Sequence, residues 1–337
     1  MYRTRSKRKL NFAALVVVSA ILLAVGGAAA AEKPGPLKIT MAGYSVGGAS
    51  AVVGEALGEA IKRTVPGSAF TYEPGKSGAN EVTVSTGKTE VGLSHVWTTK
   101  LAMGGQAFYQ GKKYPNLRAI TYLHDTTACA LFRKDAGLTS FEQIKEKKFP
   151  LVAGFNTKNS LMEHLGRYTL NAYGITYEEI EQWGGKIHYL SSRPTFDLIR
   201  NKRAHAFLSA ITPPYGAINE LATTVDLIWL PMSDKAIQYV GEKMGGGKKV
   251  MTKKEDYTSF MKEDVPTVAV PNILITSAET PEDVVYWVIK AIYNNLDYVR
   301  RTAKQLTLMT KETMAKDIGG LPLHPGAEKF YKEVGML

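Results

Sequence analysis

The chain has 337 residues, of which 45% are apolar and 22% charged, and a formal net charge of +11 at pH 7. Its one cysteine, Cys129, excludes a disulfide framework. Five of the positive charges fall in the first ten residues, and the rest of the excess is dispersed in short runs such as GKKYPNLR and RNKR. These runs read as solvated faces without the interleaved aromatics of a nucleic-acid surface.

MYRTRSKRKL is followed by an apolar run from Phe12 to Val25 and then by GGAAAAEK. A basic head, an apolar middle and small residues at the end predict a secretory signal over 1–31, cut near Ala29 to Ala31. The run is too short to read as a membrane span, and no other segment reaches that length. Cys129 lies far from the new N-terminus, where a lipid would attach. The expectation is a soluble, monomeric periplasmic protein of about 305 residues, large enough for two lobes.

Strand-like runs then alternate with helical patterns, which predicts an α/β protein with largely parallel sheets. LKITMAG leads into a helix over about 50–65, whose apolar face is Val53, Leu57, Ala60, Ile61 and Val65. AFTYEP, EVGLSHV and LRAITYLHD read as further strands, with a helical segment near Glu81 to Thr86. ACALFRKD opens the middle of the chain. There Thr139 with Glu142, Ser160 with Glu163, and Thr176 with Glu179 have the spacing of capping boxes. PLVAGF, KIHYLS, HAFLSAI, VDLIWLP and PTVAVPNILITSA are the later strands, and GEKMGGGKK reads as a flexible surface loop. A long helix is expected after Thr280-Pro281-Glu282-Asp283, carrying an apolar stripe from Val284 to Val299.

Gly43-Tyr44-Ser45-Val46-Gly47 has the letters of a nucleophile elbow. An elbow needs an upstream strand and loop for its oxyanion hole, and Ser45 lies only about 14 residues into the mature chain. Asp226 or Asp297 followed by His324 is the acid–histidine order such a secreted serine hydrolase requires. Gly75-Lys76-Ser77 lacks the upstream glycine of a P-loop, and the six histidines show no zinc spacing, so no cofactor or metal is expected. The other reading of the turn is an anion cradle of backbone N–H groups at a helix N-terminus. Pro74-Gly75-Lys76-Ser77-Gly78-Ala79-Asn80 is a second such turn, and the two together suggest one cleft at the strand ends.

Five ordered blocks carry a resemblance over nearly the whole mature chain. They are Gly43 to Gly48 with Gly54; Gly78-Ala79-Asn80 with Gly87; Leu117-Arg118-Ala119-Ile120 leading to Phe132-Arg133-Lys134-Asp135; Asp264 to Pro271; and Pro322 to Ala327 with Tyr331 and Gly335. In these the chain resembles the TAXI-type solute receptors of TRAP transporters, which are periplasmic binding proteins. The resemblance implies a two-lobed type II periplasmic binding protein fold, with lobes at 37–130 plus 268–337 and at 131–267. ACALFRKD and PTVAVPNILITSA would be the crossing strands. It also implies a small organic anion as ligand, glutamate-like or 2-oxoglutarate-like, and the membrane subunits of a TRAP transporter as partners. A different transporter or a sensor kinase is the alternative partner.

On this reading the anion docks on the turn of Tyr44, Ser45, Val46, Gly47, Gly48 and Ser50, helped by Ser77, Gly78 and Asn80. Ser50-Ala51 stand where the family commonly has two tyrosines, which points to a larger pocket. His95 and Trp97 replace a glutamine and an aspartate, and Trp97 is expected to cover apolar parts of the ligand. Asn156, Lys158, Asn159 and Ser160 would close from the second lobe, with Arg193 as a further counter-charge and Tyr215 lining the cleft.

Overall fold

The computed structural model describes residues 34–44 and 49–337. The expected signal segment 1–31 lies outside them, as do Ser45, Val46, Gly47 and Gly48.

The first part of the chain forms β1 (Lys38–Ala42), α1 (Ala49–Thr64), β2 (Ala69–Glu73), α2 (Asn80–Ser85), β3 (Val91–His95) and α3 (Val96–Gly104), followed by a long β4 (Leu117–Arg133). The middle contributes α4 (Glu142–Glu146), β5 (Val152–Gly154), α5 (Leu161–Ala172), α6 (Tyr177–Gln182), β6 (Lys186–His188) and α7 (Ser192–Arg200). It continues with β7 (Ala206–Ile211), α8 (Gly216–Ala222), β8 (Leu227–Trp229), α9 (Asp234–Lys243) and β9 (Lys248–Thr252). The chain returns through β10 (Val265–Ser277) to α10 (Glu282–Asn294), α11 (Leu296–Thr302) and α12 (Pro325–Glu333).

The strands follow the order β2-β1-β3-β10-β4-β7-β5-β6, with β8 beside β4 and β9 beside β10. β1 runs parallel to β2 and β3, and β5 runs parallel to β6 and β7. β10 and β4 are antiparallel to each other and pass from one group to the other. β10 pairs with β3 over Asn272–Thr276 and with β9 over Val265–Ala269, while β4 reaches β7 only from Thr127 onward. The fold is α/β and two-lobed, with two crossing strands.

Most expected elements form because their apolar faces have somewhere to go. The four expected face residues within α1, Val53, Leu57, Ala60 and Ile61, are buried, as is Val65 just beyond its end. Its Gly54 and Gly58 let it settle on β2, since a Cβ would come within 2.3 Å of the Tyr72 ring and 2.2 Å of the Phe70 ring.

Several expectations are corrected. LRAITYLHD and ACALFRKD are one 17-residue strand. The polar Asp125-Thr126-Thr127 does not break it because Asp125 lies 3.3 Å from the Lys248 ammonium on β9 and β-branched threonines suit a buried strand. Thr139 does not cap α4 through Glu142. Gln143 takes that place, accepting from the Thr139 amide at 3.0 Å. Ser160 and Thr176 do cap α5 and α6, accepting from Glu163 and Glu179 amides at 3.2 Å each. The long C-terminal helix is two, divided at Asn295, whose amide bonds Thr64 on α1 at 2.9 Å.

GEKMGGGKK is a held turn. Met244 is buried, Gly246 and Gly247 amides bond the Gly241 carbonyl, and Lys100 of α3 donates to the Gly245 carbonyl. Lys248 also pairs with Asp317 at 2.7 Å, so this corner ties the two lobes. Burial pushes the Asp125 carboxyl above its ordinary range despite that ammonium.

Candidate functional site

Gly43 and Tyr44, at the end of β1, lie beside the glycine turn that follows β2 because β1 and β2 are parallel neighbours. Asn80 joins them: it is 1% exposed, and its amide donates to the Gly43 carbonyl at 2.8 Å and the Leu93 carbonyl at 2.9 Å. Its oxygen accepts from the Lys76 amide at 3.1 Å. The side chain that reads as a solute contact is therefore fully engaged as a clamp. Gly78 adopts φ +87° and donates its amide to the Glu81 carboxylate at 2.8 Å. Ser77 is half-buried in the same turn.

Tyr72 is a residue the sequence reading missed. Its hydroxyl accepts from the Tyr44 amide at 2.7 Å and donates to the Tyr44 carbonyl at 3.2 Å. One N–H expected to face an anion is thus held by the protein itself. The glycine at 43 serves this brace, since a Cβ there would sit 2.0 Å from the Tyr72 ring. The helical glycines opposite β2 were the available signal for it.

The Tyr44 hydroxyl reaches His95 Nδ1 at 3.2 Å. His95 is 2% exposed, and burial, with His124 nearby, lowers its pKa to about 3. It is a neutral imidazole at any physiological pH. Burial also raises the Tyr44 phenol well above its usual range, with the Glu81 carboxylate adding to the effect. Tyr44, Ser50, His124 and Asn272 border a cavity of about 10 Å³, room for roughly one water.

Ser50 also faces a much larger cleft of about 470 Å³ between the lobes. Ser50, Lys304 and Gln305 line it from one lobe. From the other come Asn156, Met162, Ser192, and the end of β7 with the turn that follows, Phe207 and Ala210 through Tyr215. Tyr215 is fixed there by a 2.7 Å bond between its hydroxyl and that of Ser192, and by its amide donating to the Tyr257 hydroxyl at 3.0 Å. Asn156 adopts φ +69°, and its side-chain oxygen accepts from the Thr157 amide at 2.8 Å.

Of the expected second-lobe contacts, Asn156 and Tyr215 line this cleft and the others do not. Lys158 is exposed over the Tyr189 ring at 5.3 Å, and the Asn159 amide donates to Glu163 at 3.1 Å. Ser160 caps α5, and Arg193 is exposed in the first turn of α7. Trp97 is 4% exposed and inserts into the apolar cluster of the second lobe, 4.7 Å from the His164 ring. Met162, Phe207, Ala210, Ile211 and Lys304 were missed, because only the tertiary fold aims them at one space.

The serine-hydrolase reading loses its histidine. His324 Nδ1 accepts from the Gly326 amide at 3.1 Å, and its Nε2 lies 3.0 Å from the Thr280 carbonyl. With Nδ1 accepting, Nε2 carries the proton and donates, so the ring caps α12 and has no nitrogen left to act as a base.

A protein-family model described as the NMT1-like family matches residues 41–335. Among solved structures, a TctC solute binding protein from Polaromonas is similar with a TM-score of 0.55 at 17% identity, covering 90% of this chain and 98% of its own. PhnD1 from Prochlorococcus marinus, in complex with methylphosphonate, gives 0.52 at 13% identity, over 89% and 98%. MatC from Rhodopseudomonas palustris, with bound malate, gives 0.52 at 14% identity, over 89% and 97%. Identities this low establish a shared fold, that of periplasmic solute-binding proteins. With the model matching most of its length, the chain belongs to the NMT1-like family.

Proposed function

We propose that this protein is a periplasmic solute receptor that binds a small carboxylate-bearing organic solute between its lobes and delivers it to the membrane subunits of a TRAP-type transporter. The observation that carries the reading is the cleft of about 470 Å³, lined from both lobes beside two crossing strands. That arrangement suits hinge closure around a ligand. The malate bound to MatC and the methylphosphonate bound to PhnD1 are small anions, in keeping with an anionic solute here. The five sequence blocks favour the TAXI subtype and hence the TRAP partner. No helix among the described residues is long and apolar enough to cross a membrane, and a receptor needs none.

The protein acts as a monomer without cofactor and performs no chemistry on its solute. The lobes are taken to divide near 130 and 267, a division supported by β4 taking up β7 from Thr127 and by β10 pairing with β9 up to Ala269. Mass spectrometry of small molecules released from the purified protein tests the reading. An organic acid released in near-stoichiometric amount, and rebound by the emptied protein, is the expected result. Hydrolysis of an activated ester, abolished by Ser45→Ala, would contradict it.

A further inference from the structure

We infer that the solute class is a single-headed carboxylate with a branched or aromatic apolar body and no amine. The inference rests on the receptor reading of the cleft and adds the ligand chemistry to it. The wall contributed by the second lobe is mainly apolar, with Met162 from α5, Phe207, Ala210 and Ile211 from β7, and Pro213-Pro214 beyond it; Asn156, Ser192, Thr212 and Tyr215 are its polar members. Such a wall recovers free energy by taking apolar surface out of water, and it carries no cation to pair with a second carboxylate.

Among the described residues Lys304 is the one charged residue lining the cleft, and it has no ion-pair partner there. Asn156 adds donors: its oxygen is occupied by the Thr157 amide, so its NH₂ remains for a guest. A cation with amide and hydroxyl donors suits one carboxylate. Among the described residues no aspartate or glutamate lines the cleft. An ammonium group entering here would shed its hydration with no counter-charge to receive it. A volume of about 470 Å³ is in the range of sites for solutes larger than a five-carbon diacid.

Matched acids test this on the full exported chain by calorimetric titration. 4-Methylpentanoate and leucine differ only in the amine, as do 3-phenylpropanoate and phenylalanine, while glutarate replaces the branched end by a second carboxylate. The two monocarboxylates are expected to bind at least tenfold more tightly than leucine, phenylalanine, glutarate and glutamate. Lys304→Gln, at an exposed position, should weaken them by about tenfold or more, and Ala210→Phe, which fills the wall, should abolish binding. Equal binding of leucine and 4-methylpentanoate overturns the inference, as does unchanged affinity in Lys304→Gln. Tight binding of glutarate or glutamate, with no response to the apolar acids, overturns the inference and leaves the receptor reading standing. Silence toward every acid, alone and in mixtures, overturns both.

Discussion

His95 and Asn80 show how side chains that read as ligand contacts act as parts of the frame that holds a site. Burial holds the His95 pKa at about 3 and the His124 pKa at about 4, against about 6.5 in an unfolded chain. Between those values the unfolded chain binds more protons than the folded one, so stability rises with pH across that window. It is fully present above about pH 6.5 and is lost on acidification, at up to about 1.4 kcal/mol per pH unit for a fully buried ring. His124 keeps some surface and contributes less. Thermal melts between pH 7 and pH 4 should show the decline, and His95→Asn should flatten it; an unchanged slope would remove His95 as the titrating group. Asn80→Ala leaves the Gly43 and Leu93 carbonyls and the Lys76 amide without their partner. It is expected to cost about 1–3 kcal/mol in denaturant unfolding, and a cost near zero would mean water replaces the clamp.

Local signals decided the outcome for single elements wherever neighbouring residues carry the physics. Ser160→Ala should cost about 1 kcal/mol, since the hydroxyl caps α5 directly. Thr139→Ala should cost well under half as much, because its side chain only receives a bond from Gln143 in an exposed segment. Comparing the two variants by chemical denaturation checks this ranking. The strands of both lobes were legible for the same reason: LKITMAG, HAFLSAI and PTVAVPNILITSA are short apolar runs with turn residues at their ends. What escaped the sequence depended on distant partners. The continuity of β4 rests on Lys248, over 120 residues later, and the glycine turn before β9 is held by Lys100 from α3. Likewise the cleft wall was readable as a strand but not as a wall, and nothing adjacent to Lys304 marked it as lining a site.

At the scale of residues 34–337 the two lobes are joined by side-chain contacts as well as by two strands, and both line one cleft. Trp97 crosses from α3 into the core of the second lobe, and Lys248 bridges Asp125 and Asp317. Trp97→Ala should cost about 3–5 kcal/mol as a large buried side chain. It should also raise hydrogen exchange in α3 and α5 together, whereas a purely local role would raise it in α3 alone. The central claim is that a solute sits between the lobes at the wall formed by the end of β7. Calorimetric titration of organic acids into wild type and Ala210→Phe tests it most directly. The account predicts one-to-one binding by the wild type and none by the folded variant. Binding of equal affinity in both would place the solute elsewhere and contradict it.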